Sequence, residues 1–411
     1  MFGKKKEKAT YVPSLGTAEQ FKNEYKDEHL VIGVSAGNKV YIGANQTPCN
    51  NVVVINDNQR SVERQCVIPL IEQGELSYVV YDPNGTYRES LESKMKSIGY
   101  DVQLIDFDCE ENMSRVDIFE VANMIKNPYW ASVILSGSMK CTKEEVAPVH
   151  NLFMAIMQYL LAANKKVNIV DMYALFKKIQ SNDQGLLLDM IHCAASSKYV
   201  NKFNECDEEM KASVCKKLTD RFFKTAWNKC VNPNVFTVTT HKQKTITFVR
   251  RVPQKYQYII TMLLFNLMAS RVISGEKSLN TVIIDPSNET WYNKELLNNV
   301  CKESNGVLSN GVIRVNVKSV VDELSEDSLY LYMHADDEHT KKIIMENLTV
   351  DRQTTDQEKR EISVKFYRKK PLPNDVLAMT PLTVEELDKL RHCLVIDPTY
   401  KTKAFMCERL A

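Results

Sequence analysis

Short apolar runs rich in β-branched residues recur along the first third of the chain. They are Asn51-Val52-Val53-Val54-Ile55, Leu76-Ser77-Tyr78-Val79-Val80-Tyr81 and Asp101-Val102-Gln103-Leu104-Ile105-Asp106. Continuous rather than alternating apolar character is the mark of strands buried on both faces. Ser61 to Gly74 and Tyr87 to Ile98, between these runs, have helical spacing. Strand, helix, strand, helix, strand predicts a parallel sheet covered by helices.

From about Val121 to Val238 the spacing becomes helical, most clearly over Val149 to Ala163, where Val149, Phe153, Met154, Met157, Leu160 and Leu161 share a face. This predicts an all-helical insertion. Strand-like runs return at Thr245-Ile246-Thr247-Phe248-Val249 and, after an apolar helix from Tyr258 to Ile273, at Thr281-Val282-Ile283-Ile284-Asp285-Pro286. Val312 to Val317, Leu329 to Met333 and Cys393 to Asp397 add three more, whereas the charged stretch Glu346 to Lys370 reads as a surface loop. The expected organisation is an N-terminal lead-in, 1–44, an α/β domain in two parts, 45–120 and 243–411, and the helical insertion, 121–242. The fold class expected is α/β, RecA/P-loop-like.

At 411 residues the chain can bury a sizeable core. Lys+Arg 53 against Asp+Glu 52 leaves a formal charge of +1, so DNA binding is not indicated by charge. No apolar run reaches the ~18 to 20 residues that span a bilayer, and Met1 to Lys8 lacks a signal-peptide core; a cytoplasmic location is expected. The 11 cysteines are scattered without a C-x-x-C pair, which predicts reduced thiols and no zinc site.

In a nucleotide-binding sheet, the loop after the first strand cradles phosphates with glycine amides and a Lys, and a Ser or Thr holds magnesium. Here that loop is Asn56-Asp57-Asn58-Gln59-Arg60-Ser61-Val62-Glu63, with no glycine, no lysine and no terminal hydroxyl. Asp82 and Asp285 end apolar strands, where a carboxylate reads as a cap for the following turn. His334-Ala335-Asp336-Asp337-Glu338-His339 reads as a solvated helix start rather than a metal cluster. Basic runs such as Lys4-Lys5-Lys6 and Arg368-Lys369-Lys370 read as solvated faces.

Strand, loop, helix, second strand and Asp82-Pro83-Asn84-Gly85-Thr86 resemble, in order and spacing, the pattern of the type IV secretion coupling proteins, the TraG/VirD-type conjugative DNA-transfer ATPases. The family's Walker A loop falls on Asn56 to Glu63, with its second Gly at Ser61, its phosphate Lys at Val62 and its magnesium hydroxyl at Glu63. The resemblance extends through Lys94 to Val102, the helical stretch around Lys198 to Phe203, Thr245 to Asp285, Asp336 to Leu348 and Leu382 to Ile396. Leu15 to Glu19 is similar to the short motif before the nucleotide domain. The resemblance places the Walker B Asp at Asp285, its catalytic Glu at Pro286 and the phosphate-sensing Gln at Lys318.

What the resemblance implies is a vestigial site: Asp82 and Asp285 remain, and the Walker A residues, the Walker B Glu and the sensor Gln are replaced. A carboxylate at Glu63 would repel a phosphate by about 4 kcal/mol at ~4 Å and an effective dielectric of ~20. The expected function is a catalytically degenerate binding or scaffold subunit of a type IV secretion or conjugation apparatus, with no catalytic residue, no bound metal and no cofactor. Its partners would be machine proteins such as an intact coupling ATPase, which would also hold it at the inner face of the membrane; the oligomeric state stays open. Two alternatives stand beside this: an active DNA-translocating ATPase with unorthodox ATP and magnesium contacts, and an interaction protein that reuses the fold outside DNA transfer.

Overall fold

The structure is a computed structural model. It describes residues 29–35, 38–43, 51–58, 62–74, 76–107, 115–224, 235–236, 244–274, 281–287, 289–303, 312–324, 328–346, 349–351, 379–381, 393–396 and 404–407. The strands, in chain order, are β1 (His29–Ser35), β2 (Asn38–Gly43), β3 (Asn51–Ile55), β4 (Ser77–Tyr81), β5 (Asp101–Ile105), β6 (Arg115–Val116), β7 (Val235–Phe236) and β8 (Thr245–Val249). They continue with β9 (Thr281–Asp285), β10 (Val312–Lys318), β11 (Leu329–Tyr332), β12 (Thr349–Asp351), β13 (Met379–Pro381), β14 (Cys393–Ile396) and β15 (Ala404–Cys407). The chain divides into two compact units, one of residues 1–75, 278–288 and 312–411, the other of residues 76–277 and 289–311.

In the first unit the strand order is β15-β14-β11-β3-β10-β9. The strands β11, β3, β10 and β9 run parallel, and β14 and β15 extend that edge antiparallel. The run Val52 to Ile55 is at most 3% exposed, as expected for a strand covered on both faces. Where polar side chains enter the sheet they satisfy one another: Asn316 Nδ2 donates to Asn51 Oδ1 (2.6 Å) and Asn51 Nδ2 to Ser328 Oγ (2.8 Å). The helix after β3 opens with a π-helical turn, Glu63–Val67, and continues over Ile68–Glu72, burying Val62, Cys66, Val67, Leu70 and Ile71. β1 and β2 form a hairpin of their own.

The second unit has parallel strands in the order β4-β8-β5, and β6 and β7 pair parallel as a separate two-stranded sheet. The helix Gln257–Ser274 follows β8 and is buried over most of its length, from Tyr258 to Ala269. Between residues 120 and 224 the described structure is helical throughout its regular elements. Its centre is Lys143–Ala162, whose residues from Leu152 to Met157 are all buried. That helix starts with a capping box of Thr142 and Glu145. Phe153, Phe176, Phe222 and Phe223 pack at ring distances of 4.8 to 5.0 Å to knit the surrounding helices together. Glu145 also takes Ser213 Oγ and Lys217 Nζ, which holds its carboxyl down at about 2. Among the described residues, no helix is long and apolar enough to cross a membrane.

Candidate functional site

In the first unit, the loop after β3 lies between two neighbouring strand ends. Ile55 is opposite Lys318 of β10 and Tyr332 of β11. Its carbonyl accepts from the backbone N–H of Met333 (3.0 Å) and of His334 (3.3 Å), and the Asn56 N–H donates to the Lys318 carbonyl (3.0 Å). The loop's first residues are therefore tied to the chain on both sides.

Asn56 is 3% exposed. Its Oδ1 accepts from the Asn58 N–H (3.0 Å), an Asx turn that directs the chain toward the helix, and its Nδ2 contacts Met333 Sδ at 3.6 Å. The Asp57 carboxylate takes His334 Nδ1 on Oδ1 (2.7 Å) and the Asp336 N–H on Oδ2 (2.5 Å). Partial burial pushes its pKa up, and the bonds from His334 and Asp336 outweigh this, so its carboxyl lies below the usual value. Gln59, Arg60 and Ser61 lie outside the described residues.

Val62, where the resemblance puts the phosphate lysine, is 1% exposed. It begins the helix with its N–H on the Asn58 carbonyl (3.0 Å) and no side-chain cap. Glu63 is half-buried in the first turn. Asp285, at the end of β9, is 1% exposed, and its Oδ1 accepts from the N–H and hydroxyl of Ser287 at 3.3 and 3.4 Å. Lys318 is exposed, and its backbone carbonyl is what meets the loop.

Asp82 belongs to the second unit and makes the connection from β4 to the helix Thr86–Ser97. Its carboxylate accepts from the backbone N–H groups of Tyr87 (3.3 Å) and Arg88 (2.9 Å). Burial raises its pKa more than those donors and the nearby Arg250 lower it. Gly85 turns the chain at φ 81°, and a Cβ there would lie 1.8 Å from Arg250 Nη1. This strand end closes on its own helix.

The grouping that residue spacing does not reveal is Asp57 with His334 and Asp336, whose ligand atoms all lie within 4.8 Å of one another. The neighbouring Asp337 caps the helix Glu338–Glu346, accepting the Thr340 N–H at 2.6 Å. His334 and Asp336 instead turn back to the end of β3. Residue spacing carries no signal for it, because only the register of β3 beside β11 brings positions 277 apart together.

Parallel strands, covering helices and a strand–loop–helix connection at a strand's C-terminal end match the RecA/P-loop-like class of α/β folds. Within that class, the plasmid coupling protein TrwB in complex with the non-hydrolysable GTP analogue GDPNP aligns at a TM-score of 0.55 and 12% identity, over 96% of this chain and 92% of that one. The unbound monoclinic form of the bacterial conjugative coupling protein TrwBΔN70 aligns at 0.48 and 14% identity, over 74% of this chain and 69% of that one. VirB4 of Thermoanaerobacter pseudethanolicus aligns at 0.47 and 12% identity, over 94% and 98%. No family model and no curated protein matches the chain. At these identities the likeness establishes the fold, which is the one the sequence resemblance implied.

Proposed function

We propose that this chain is a non-hydrolysing binding or scaffold subunit of a type IV secretion or conjugation apparatus, built on the fold of its coupling ATPases. The observation that supports the reading is Val62: where the resemblance puts the phosphate lysine, the side chain is 1% exposed and packed into the core. A residue so placed cannot reach a phosphate, and Asn56 and Asp57, at the start of the loop, are held by the chain's own bonds. The carboxylates of Asp57 and Glu63 oppose a polyanion further. TrwB, crystallised with GDPNP, is a plasmid coupling protein; this chain would keep that scaffold for its surfaces and take no nucleotide or magnesium.

Its partners would be components of the transfer machine, an intact coupling ATPase foremost, and through them it would lie at the inner face of the membrane. The test is affinity capture of the tagged full chain from its native host, with nuclease treatment to remove DNA bridges. Conjugation or secretion proteins should be enriched over a tag-only control. Their absence, with only unrelated proteins retained, would defeat the reading in favour of an interaction protein working outside DNA transfer.

A further inference from the structure

The side chains gathered at the ends of β3 and β11 go beyond what closing a vestigial loop requires. His334 faces a carboxylate on each ring nitrogen: Nδ1 is 2.7 Å from Asp57 Oδ1, and Nε2 is 4.0 Å from Asp336 Oδ1. In the tautomer that donates its Nδ1 proton to Asp57, Nε2 carries the lone pair and faces Asp336. At 4.0 Å that second pair is too long for a hydrogen bond. First-row transition metals hold imidazole nitrogen and carboxylate oxygen at about 2.0 to 2.2 Å, which sets two tetrahedral ligands roughly 3.4 Å apart, so this pair has to close by about half an ångström to share one cation.

The backbones of both groups are fixed. The His334 N–H is on the Ile55 carbonyl, the Asp336 N–H is on Asp57, and the helix capped by Asp337 begins directly after. The Asp336 side chain is 89% exposed and the His334 side chain 46%, so a small rotation brings carboxylate and imidazole onto one ion while water completes the shell. A carboxylate behind the far nitrogen of a metal-binding histidine orients the ring and raises its basicity, which is the place Asp57 occupies.

We propose that His334 Nε2 and the Asp336 carboxylate bind a divalent first-row transition metal of the zinc or cobalt kind, with Asp57 as the residue that orients the imidazole. Imidazole as a ligand favours these ions over magnesium or calcium. The site does not rest on the scaffold reading: capture of partners tests that reading, and metal titration of the isolated chain tests this one.

The experiment uses the full chain, stripped with EDTA, exchanged into buffer without chelator and kept reduced with a phosphine. Cobalt(II) is titrated and followed by visible absorption, with zinc as competitor. Saturable binding of one equivalent is expected, with the spectrum of nitrogen and oxygen ligands. His334→Ala and Asp336→Asn should each abolish it, and Asp57→Asn should weaken it by about 10-fold or more. Asp336→Asn keeps the backbone bond to Asp57 and lies on an exposed side chain, so it reports on binding even where His334→Ala fails to fold. Three results would overturn the proposal: no saturable binding up to millimolar metal, binding unchanged in folded Asp336→Asn, or thiolate-to-cobalt absorption placing the ion on cysteines.

Discussion

Two strand ends in this molecule solve the same problem in different ways. After β4, Asp82 turns back onto its own helix and bonds to Tyr87 and Arg88, five and six residues on. After β3, Asp57 leaves its helix uncapped and bonds instead to residues 277 and 279 positions away. The first connection is a local device that its own sequence specifies: a carboxylate, a proline and a glycine at φ 81°. The second depends on the sheet being formed, because His334 reaches Asp57 through β11 lying beside β3. A loop that binds phosphate needs free amides; among the described residues of this one, the amides of Asn56, Asn58 and Val62 are bonded to Lys318, Asn56 and Asn58.

The sharpest way to break the contrast is to place a cation at position 62. Val62→Lys should destabilise the protein by about 3 kcal/mol, because an ammonium would be forced into a site 1% exposed without a partner. Denaturant unfolding measures this; a tolerated lysine that also confers ATP affinity would mean the phosphate cradle survives.

On the other side of the comparison, Gly85→Ala should cost about 2 kcal/mol. It combines left-handed backbone strain with a Cβ placed against Arg250, whose Nε lies 3.6 Å from Asp106 Oδ2. Thermal unfolding would show this as a lower Tm, and an unchanged Tm would mean that the turn is not the rigid element described.

The smallest effect is in pH dependence, and its sign differs between the two aspartates. Asp57 has a folded pKa below its ordinary 3.8, so the stability it contributes is present above about that pH and is lost as pH falls through the folded value. Asp82 has a folded pKa above 3.8, so its contribution is full below that pH and is lost as pH rises through the folded value. Asp57→Asn should therefore flatten the acid limb of the stability profile, and Asp82→Asn should flatten the limb just above it. Equilibrium unfolding across that range in EDTA checks both; identical slopes in the two variants would contradict the assignment.

The same local versus distant distinction explains what the sequence could show. The strands Asn51 to Ile55, Tyr78 to Tyr81 and Thr281 to Asp285 were legible because burial on both faces demands unbroken β-branched or aromatic runs, and those demands are written residue by residue. The expected organisation leaves the hairpin of β1 and β2 out of the N-terminal segment, although Ala36-Gly37 between two β-branched runs is a turn signal. β15 also went unread, being a four-residue strand specified by antiparallel pairing with β14 rather than by its own pattern. At the site, the absence of a lysine at position 62 could be read directly. The Asp57, His334 and Asp336 grouping could not, since no spacing relates residues 277 apart until the register of β3 and β11 is known.

The central claim is that the loop after β3 no longer accepts a nucleotide. Isothermal titration of the full chain with Mg-ATP, and in parallel with Mg-GDPNP, addresses it most directly. Heats no greater than dilution up to millimolar nucleotide are the predicted result. Saturable micromolar binding, lost when the loop residues are altered, would contradict it and restore the reading of an active motor.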